Sequence, residues 1–134
     1  MWWGLRRPGA VPCSRLHARQ VAWEWQLGHL SDAVELVVSE LVTNGVRAVE
    51  GLTSSRYGGR WAPGRPPVRL WLHGQQQRIA VQVWDGSDQL PARRPADPGA
   101  ESGRGLLLVE SVSDAWGSYR PPRSSGKVVW ATLH

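Results

Sequence analysis

Two runs of alternating apolar and polar residues lie close together in the chain, and they restrict its fold more than any other feature. The runs read VRLWLHG from Val68 and RIAVQVWD from Arg78, and the segment from Gly74 to Gln77 joins them. Alternation with a period of two predicts strands that bury one face, and the short connection predicts an antiparallel hairpin. The chain therefore contains a β-sheet whose apolar face needs a covering layer.

The clearest helix of the sequence precedes this hairpin. Ser31 is a suitable N-cap, and Asp32 and Glu35 fall in the first turn, where the helix dipole favours acidic side chains. An apolar stripe then continues to about Val49, and it is formed by Ala33, Val34, Val37, Val38, Leu41 and Val42. This pattern predicts a helix that buries one face.

The remaining elements follow from the same periodicities. We expect an edge strand at Trp2 to Leu5, helices from about Cys13 to Leu27 and from about Gly103 to Val112, and strands near Ala115 to Tyr119 and Lys127 to Leu133. Gly28 is expected to end the first of these helices. Because helices and strands are mostly segregated along the chain, the pattern predicts an α+β fold in one domain, residues 1–134. Its architecture is a two-layer sandwich with the helices on one face of a mixed β-sheet.

The length and composition of the chain indicate how many domains it forms and in which compartment of the cell it works. A chain of 134 residues suits a single domain with its own core. No apolar run approaches the roughly 18 residues that a membrane span needs, and the single cysteine, Cys13, excludes an intrachain disulfide. We therefore expect a cytoplasmic protein without a membrane partner. The histidines show no spacing typical of a metal site.

The chain is basic, with a formal net charge of +5 and an isoelectric point near 10.6. Its basic residues are fifteen arginines and one lysine, spread along the sequence with no group larger than a pair. Scattered charge does not form the basic stripe of a nucleic-acid site, so we expect no direct nucleic-acid partner. A basic nucleic-acid binder is an alternative, and it predicts steeply salt-dependent DNA binding. The charge also suits an acidic protein or a nucleotide polyphosphate.

The first candidate site lies on the helix that follows Ser31. Glu40 and Asn44 are four residues apart and share one helical face, and Thr43 and Arg47 lie on or beside it. An amide oxygen is a suitable ligand for Mg²⁺, which usually completes its shell with substrate phosphates. A carboxylate one turn away is placed to accept a proton from a nucleophile. The alternative interpretation is a solvated polar face.

The second candidate is Asp85, at the end of the run VQVWD. It shares the strand face of Ile79, Val81 and Val83, so its carboxylate points to the apolar side. A buried carboxylate needs hydrogen-bond donors, and the amino group of adenine is one such donor. The alternative is a strand-end aspartate that begins a turn with Gly86 and Ser87.

The third candidate is the glycine motif Glu101-Ser102-Gly103-Arg104-Gly105-Leu106, which opens a helix. Glycines allow the backbone to approach a phosphate, and the free N–H groups at a helix start attract anions. Arg104 adds a positive charge. The alternative is a simple turn.

In this order, the three motifs resemble the N, G1 and G2 boxes of the GHKL (Bergerat-fold) ATPases. The segments VVSELVTNGVRAV, VQVWDGSDQLP, ESGRGLLLVESVSDAWG and GKVVWATL are similar to the anti-sigma-factor serine kinases of this group. The resemblance extends from about Val11 to Leu133.

The resemblance implies roles for individual residues. Asn44 holds Mg²⁺ that bridges the phosphates of ATP, Glu40 is the candidate general base, and Asp85 accepts a hydrogen bond from the adenine amino group. Gly103 and Gly105 shape the segment over the phosphates. Arg47, Ser87, Arg104 and Leu106 complete the nucleotide-binding set. The implied fold is the histidine-kinase-like ATPase fold, and the implied cofactors are ATP and Mg²⁺.

The implied activity is phosphorylation of a serine on an anti-anti-sigma (STAS-type) protein, together with sequestration of a sigma factor. Three other readings stay open beside it: a catalytically silent ATP-binding module that regulates a partner by binding alone, a detached catalytic domain of a histidine kinase, and the nucleic-acid binder. No residue here looks like the phospho-accepting histidine of a histidine kinase.

The sequence departs from the family pattern at four places. Ala48 stands where a histidine often follows the N box, and Gly45 replaces the usual alanine at a cost of about 1 kcal/mol in helix propensity. Ser87 and Gln89 replace the Gly-x-Gly tail of the G1 box, and Val128 stands where several relatives have a threonine.

The strand parity also places Trp71 and Trp84 on the outer face of the sheet, and Trp130 joins them if Val129 and Ala131 point inward. Clustered exposed tryptophans are typical of an interface, so we expect a protein partner or a second copy of the chain on this face. The alternative is that the N-terminal strand, the segment 51–67 or arginine side chains cover these rings.

Overall fold

The computed structural model describes residues 2–5, 10–49, 68–87 and 101–134. The strands are β1 (Trp2–Leu5), β2 (Val68–Gln75), β3 (Arg78–Asp85), β4 (Ala115–Tyr119) and β5 (Lys127–Leu133). The helices are α1 (Ala10–Glu24), α2 (Ser31–Val49) and α3 (Glu101–Val112), and a short 3-10 helix, Gly28–Leu30, precedes α2. The order of elements is the one that the periodicities predict.

The strands form one sheet in the order β1-β2-β3-β5-β4, and every pairing between them is antiparallel. The expectation of a mixed sheet is therefore wrong for the described strands. Although β3 and β4 run in the same direction, β5 lies between them. β5 follows β4 through a hairpin and pairs with both β3 and β4. If β4 paired directly with β3, the two strands would be parallel, but β5 separates them and both of its pairings are antiparallel.

Helix α2 lies on one face of the sheet and contacts β2, β3 and β5, while α1 and α3 pack against α2. The fold is therefore the expected α+β sandwich. The core between the layers is formed by the stripe of α2 and by the inward side chains of the hairpin, and these strand residues are Val68, Leu70, Leu72, Ile79, Val81 and Val83. Their burial confirms the strand parity read from the sequence, and it places Asp85 on the same inner face.

The ends of α1 and α2 differ from the expectations. Gln26, with φ of 59°, ends α1 in place of Gly28. The N–H of Leu27 donates a hydrogen bond to the carbonyl of Ala22 at 2.7 Å, and the N–H of Gln26 donates to the carbonyl of Trp23 at 3.1 Å. This pair of bonds is the Schellman motif, which usually has glycine at the left-handed position. Ser31 is not an N-cap, because its φ and ψ of −57° and −43° are helical and the 3-10 turn continues directly into α2.

The connection between β2 and β3 is shorter than expected. Gln75 pairs with Arg78, so Gly74 belongs to the strand and only two residues form the turn. Gln76 and Gln77 have φ of 47° and 65°, respectively. Positive φ at both central residues is the mark of a type I′ turn, which favours Asn-Gly rather than two glutamines.

The outer face of the sheet carries Trp71, Trp84 and Trp130, and all three are partly exposed. The guanidinium of Arg69 lies 4.9 Å from the centre of the Trp84 ring. The indole N–H of Trp84 donates to the carbonyl of Ser125 at 2.9 Å. An arginine therefore covers Trp84, as the alternative interpretation expected. Within the described ranges, no helix has the length and apolar content to cross a membrane.

Candidate functional site

Helix α2 presents the Glu40–Asn44 pair on its polar side. Both side chains are partly exposed and Arg47 is exposed, whereas Leu41, Val42 and Gly45 are buried against the sheet and neighbouring helices. The separation of the two faces follows from the helical period, because residues four apart share a side. The carboxylate and the amide are therefore accessible on one surface, as predicted.

The glycine motif meets Glu40 directly. A Cβ placed on Gly105 would lie 2.5 Å from Oε2 of Glu40, so the carboxylate rests against the bare backbone of α3. Only a residue without a side chain leaves this space open. The expected helix start near Gly103 is two residues late, because α3 begins at Glu101 and includes both glycines. The side chain of Arg104 lies outside the described part of the structure.

The same helix α2 comes close to the end of β3. A Cβ on Gly45 would lie 3.2 Å from Cγ1 of Val68 and 3.6 Å from Cβ of Asp85. Gly45 therefore sets the close approach between α2 and the strand that carries Asp85. Together with the contact of Glu40 and Gly105, it brings the three motifs of the sequence to one stretch of α2, residues 40–45.

Asp85 is buried, with 1% of its surface exposed. Its Oδ1 accepts a hydrogen bond from the backbone N–H of Ser87 at 2.8 Å, so Ser87 acts through its main chain. Nζ of Lys127 lies 3.2 Å from Oδ1 and 3.1 Å from Oδ2. Lys127 is itself only 4% exposed, and it pairs with Asp85 across β3 and β5.

The pKa of Asp85 lies above its ordinary value of 3.8 because burial disfavours the charged carboxylate. The positive charge of Lys127 and the hydrogen bond from Ser87 act in the opposite direction, and they offset only part of the effect of burial. A carboxylate in this environment gains from every further donor that reaches it.

Sequence reasoning missed Lys127. Lys127 pairs with Asp85 across β3 and β5, whereas Val128, which stands where several relatives have a threonine, pairs with Trp84. Two signals pointed to this residue: it is the only lysine among sixteen basic residues, and it stands at the first position of a strand. Its partner becomes evident only from the register of β3 and β5.

Glu40 also borders a surface groove of about 420 Å³, which it lines together with Arg15, Asp32, Glu35, Leu36 and Ser39. Arg15 and Glu35 form an ion pair across this groove, with 3.3 Å between the charged atoms. The carboxylate of Glu40 therefore lies between the first turns of α3 and an open groove, where a group from another molecule can reach it.

The residues present fit a magnesium nucleotide. Asp85 is a buried acceptor on the inner face of the sheet, Asn44 supplies an amide oxygen, and Gly105 keeps the first turns of α3 open beside Glu40. No group of three or more histidine, cysteine, aspartate or glutamate residues that could hold a metal occurs in the described ranges. A donor set of one amide oxygen suits Mg²⁺ that takes its other ligands from phosphates and water.

Comparison with known proteins gives one family. The family described as the histidine kinase-like ATPase domain matches residues 7–133. No curated protein matches the chain significantly.

Proposed function

Because the chain belongs to the family of histidine kinase-like ATPase domains, we propose that it binds ATP with Mg²⁺ and transfers phosphate to a serine of an anti-anti-sigma partner. ATP binding follows from membership of an ATPase domain family. Phosphotransfer of the anti-sigma-kinase type is a more specific proposal than ATP binding, and it rests on the motif residues and on their arrangement.

One observation carries the proposal: the stretch of α2 from residue 40 to residue 45 contacts both the glycine motif of α3 and the strand end with Asp85. The residues proposed as base acceptor, metal ligand and phosphate-binding helix start therefore lie along one stretch of α2. A solvated face or an isolated turn does not require such contacts, so the grouping supports a function for all three motifs.

The proposed roles follow from the chemistry of each group. Asp85 accepts a hydrogen bond from the amino group of adenine, and Asn44 holds Mg²⁺ through its amide oxygen. The first N–H groups of α3, from Glu101 to about Arg104, bind phosphate oxygens, as helix starts do, and Gly103 lies among them. Bound Mg²⁺ neutralises phosphate charge, which eases attack by a nucleophile.

Glu40 is proposed as the general base. Its carboxylate accepts the proton of the serine hydroxyl while the serine oxygen bonds to the γ-phosphorus of ATP. The bond between that phosphorus and the oxygen bridging to the β-phosphate breaks, and ADP leaves. The groove beside Glu40 offers a path for the partner's serine, since the carboxylate lines that groove and also touches α3. Arg47, which is exposed on the same helix, is proposed to contact the nucleotide.

The proposed partners are an anti-anti-sigma (STAS-type) protein and a sigma factor. The net charge of +5 suits an acidic partner surface. A homodimer is a second proposal, supported by the partly exposed tryptophans on the outer face of the sheet.

Calorimetry tests the nucleotide site. We expect MgATP to bind with a dissociation constant between micromolar and millimolar, about −8 to −4 kcal/mol. Binding should weaken without Mg²⁺ and in Asn44→Ala. Gln82→Ala is the matched control, because Gln82 carries the same amide on the outer face of the sheet. No binding at millimolar ATP by the folded protein refutes the proposal.

Phosphotransfer is tested separately with γ-labelled ATP and purified anti-anti-sigma proteins from the same organism. We expect Glu40→Ala to abolish labelling of the serine while calorimetry still detects ATP. If the wild type binds ATP and regulates the partner without labelling it, the chain is the silent binding module instead.

A further inference from the structure

Lys127 is the only lysine of the chain, and it is buried beside the carboxylate that the proposed function assigns to the base of the nucleotide. The ammonium lies within 3.2 Å of both oxygens of Asp85. Taking two charges out of water is costly, and a buried ion pair is often no more stabilising than apolar residues of similar volume. Packing alone therefore gives little reason for a lysine at this position.

The hydrogen-bonding capacity of the pair is not exhausted by its own contacts. A lysine ammonium has three N–H donors, and Asp85 uses at most two of them. Oδ1 of Asp85 already accepts from Lys127 and Ser87, whereas Oδ2 contacts Lys127 alone among the described residues. Among the residues that the structure describes, one donor of Lys127 and one acceptor of Asp85 are therefore left side by side at the strand end.

We propose that Lys127 is a specificity-determining residue that lets this site bind 6-oxopurine nucleotides, such as GTP, about as well as ATP. The inference rests on the proposed function, since it assumes that Asp85 contacts the base. It concerns base selection alone and is independent of whether Glu40 transfers phosphate.

The chemistry of the two purines explains the proposal. An aspartate alone selects adenine, because it accepts from the 6-amino group and repels the 6-oxygen of guanine. A lysine beside it reverses the second effect, since its N–H donates to that oxygen while the carboxylate accepts from the adjacent N1–H of guanine. Adenine is still accommodated, because its amino group donates to the carboxylate and a neighbouring ring nitrogen accepts from the lysine.

The first experiment is calorimetry on the wild-type protein with ATP, GTP, ITP and purine riboside triphosphate, each with Mg²⁺. We expect the first three to bind within about tenfold of one another, the equivalent of one hydrogen bond. ITP keeps the 6-oxygen and N1–H but lacks the 2-amino group, so it isolates the proposed contact. Purine riboside triphosphate lacks a 6-substituent and should bind more weakly than ATP, GTP and ITP.

The second experiment compares Lys127→Met with Lys127→Gln, which are both neutral but differ in the presence of an N–H donor. We expect Lys127→Met to weaken GTP and ITP relative to ATP by about ten- to hundredfold, the usual penalty for an unpaired buried acceptor. Lys127→Gln should keep a larger share of GTP binding. Circular dichroism establishes that each variant is folded.

Three results overturn the proposal. A wild-type preference for ATP over GTP beyond about tenfold shows that Asp85 selects adenine despite the lysine. Equal weakening of ATP and GTP in Lys127→Met shows that the pair only supports the structure. If the folded wild type binds none of the four nucleotides, the proposed function fails, and the inference fails with it.

Discussion

Asp85 is held between two opposing electrostatic effects, and burial is the stronger of them. Its pKa is raised by loss of hydration, while Lys127 and the N–H of Ser87 stabilise the charged form. The ordinary pKa of 3.8 describes the unfolded chain, in which this contact network is lost. Between these two pKa values the folded protein binds more protons at Asp85 than the unfolded chain does.

A pH dependence of stability follows from this difference. The contribution of Asp85 to the free energy of unfolding is complete below the unfolded pKa and is lost as the pH rises through the folded pKa. We expect the free energy of unfolding of the wild type, minus that of Asp85→Asn, to fall as the pH rises above the unfolded pKa of 3.8, until the raised folded pKa is passed. Urea unfolding of both proteins at several pH values measures it. A difference that grows with pH contradicts the raised pKa.

Gly105 leads to a second prediction. The absence of its side chain makes room for the carboxylate of Glu40, and its helical backbone does not itself require glycine. Gly105→Ala should raise the free energy of unfolding by up to about 1 kcal/mol through helix propensity. The atom in its way is the end of the flexible Glu40 side chain, which can move aside. The displaced carboxylate should then lower phosphotransfer. Urea unfolding and the labelling assay measure the two effects.

Two variants serve as controls for this prediction. Gly45→Ala should gain less stability than Gly105→Ala, because the new methyl group meets Val68 of the sheet rather than a mobile side chain. In the Glu40→Ala background, which lacks the obstructing carboxylate, Gly105→Ala should raise the free energy of unfolding by the full helix-propensity gain of about 1 kcal/mol. A destabilised Gly105→Ala, or one with undiminished labelling, refutes this role of the glycine.

At the level of single residues, pattern and parity predicted part of the site. The four-residue spacing placed Glu40 and Asn44 on one polar side of α2, and strand parity placed Asp85 on the inner face. Lys127 was missed because its contact depends on the register between β3 and β5, which no local pattern encodes. The meeting of Glu40 with Gly105 depends on helix packing in the same way.

At the level of elements, the β2–β3 hairpin carries an unfavourable turn. Two glutamines occupy left-handed positions, which cost about 1–2 kcal/mol each for residues other than glycine and, to a lesser degree, asparagine. Gln76→Asn/Gln77→Gly should therefore raise the free energy of unfolding by about 1–2 kcal/mol. Urea unfolding measures the change.

The matched control is Gln76→Ala/Gln77→Ala, which removes the same side chains but keeps the left-handed strain. It should change the free energy of unfolding by less than about 0.5 kcal/mol. If both double variants stabilise the protein equally, the gain comes from the glutamine side chains and not from the turn geometry.

The order and kind of the described elements were predictable, but several of their ends were not. The alternation of β2 and β3 and the stripe of α2 identify their type, because burial of one face dominates local preference. Their ends are decided by weaker effects. The 3-10 turn before Ser31 removes the expected N-cap, and Gln26 takes the left-handed position that Gly28 was expected to supply.

At the level of the whole molecule, α2 joins the parts of the fold. It contacts three strands of the sheet and both other helices, and its residues 40–45 touch the glycine motif and the end of β3. The two-layer class was predictable because each amphipathic element must cover another. The strand order was not, since the antiparallel position of β5 between β3 and β4 depends on how the last hairpin returns to the sheet.

A ligand at this junction should stabilise the entire fold. In the proposed binding mode, MgATP contacts α2, β3 and α3 in the folded state and has no comparable site in the unfolded chain. At a concentration a hundred times the dissociation constant, we expect the free energy of unfolding to rise by about 2.7 kcal/mol. Urea unfolding with and without MgATP measures this rise, and the dependence on urea concentration should keep its slope.

The size of this rise also separates site binding from unspecific attraction of phosphate to a basic chain. Inorganic triphosphate with Mg²⁺ carries the same phosphates without the base, so it should stabilise the wild type less than MgATP does. Asp85→Asn should reduce the advantage of MgATP over triphosphate, because the buried acceptor for the base is altered. Equal stabilisation by MgATP and triphosphate would mean that the net charge of +5 attracts the ligand and that Asp85 plays no part in its recognition.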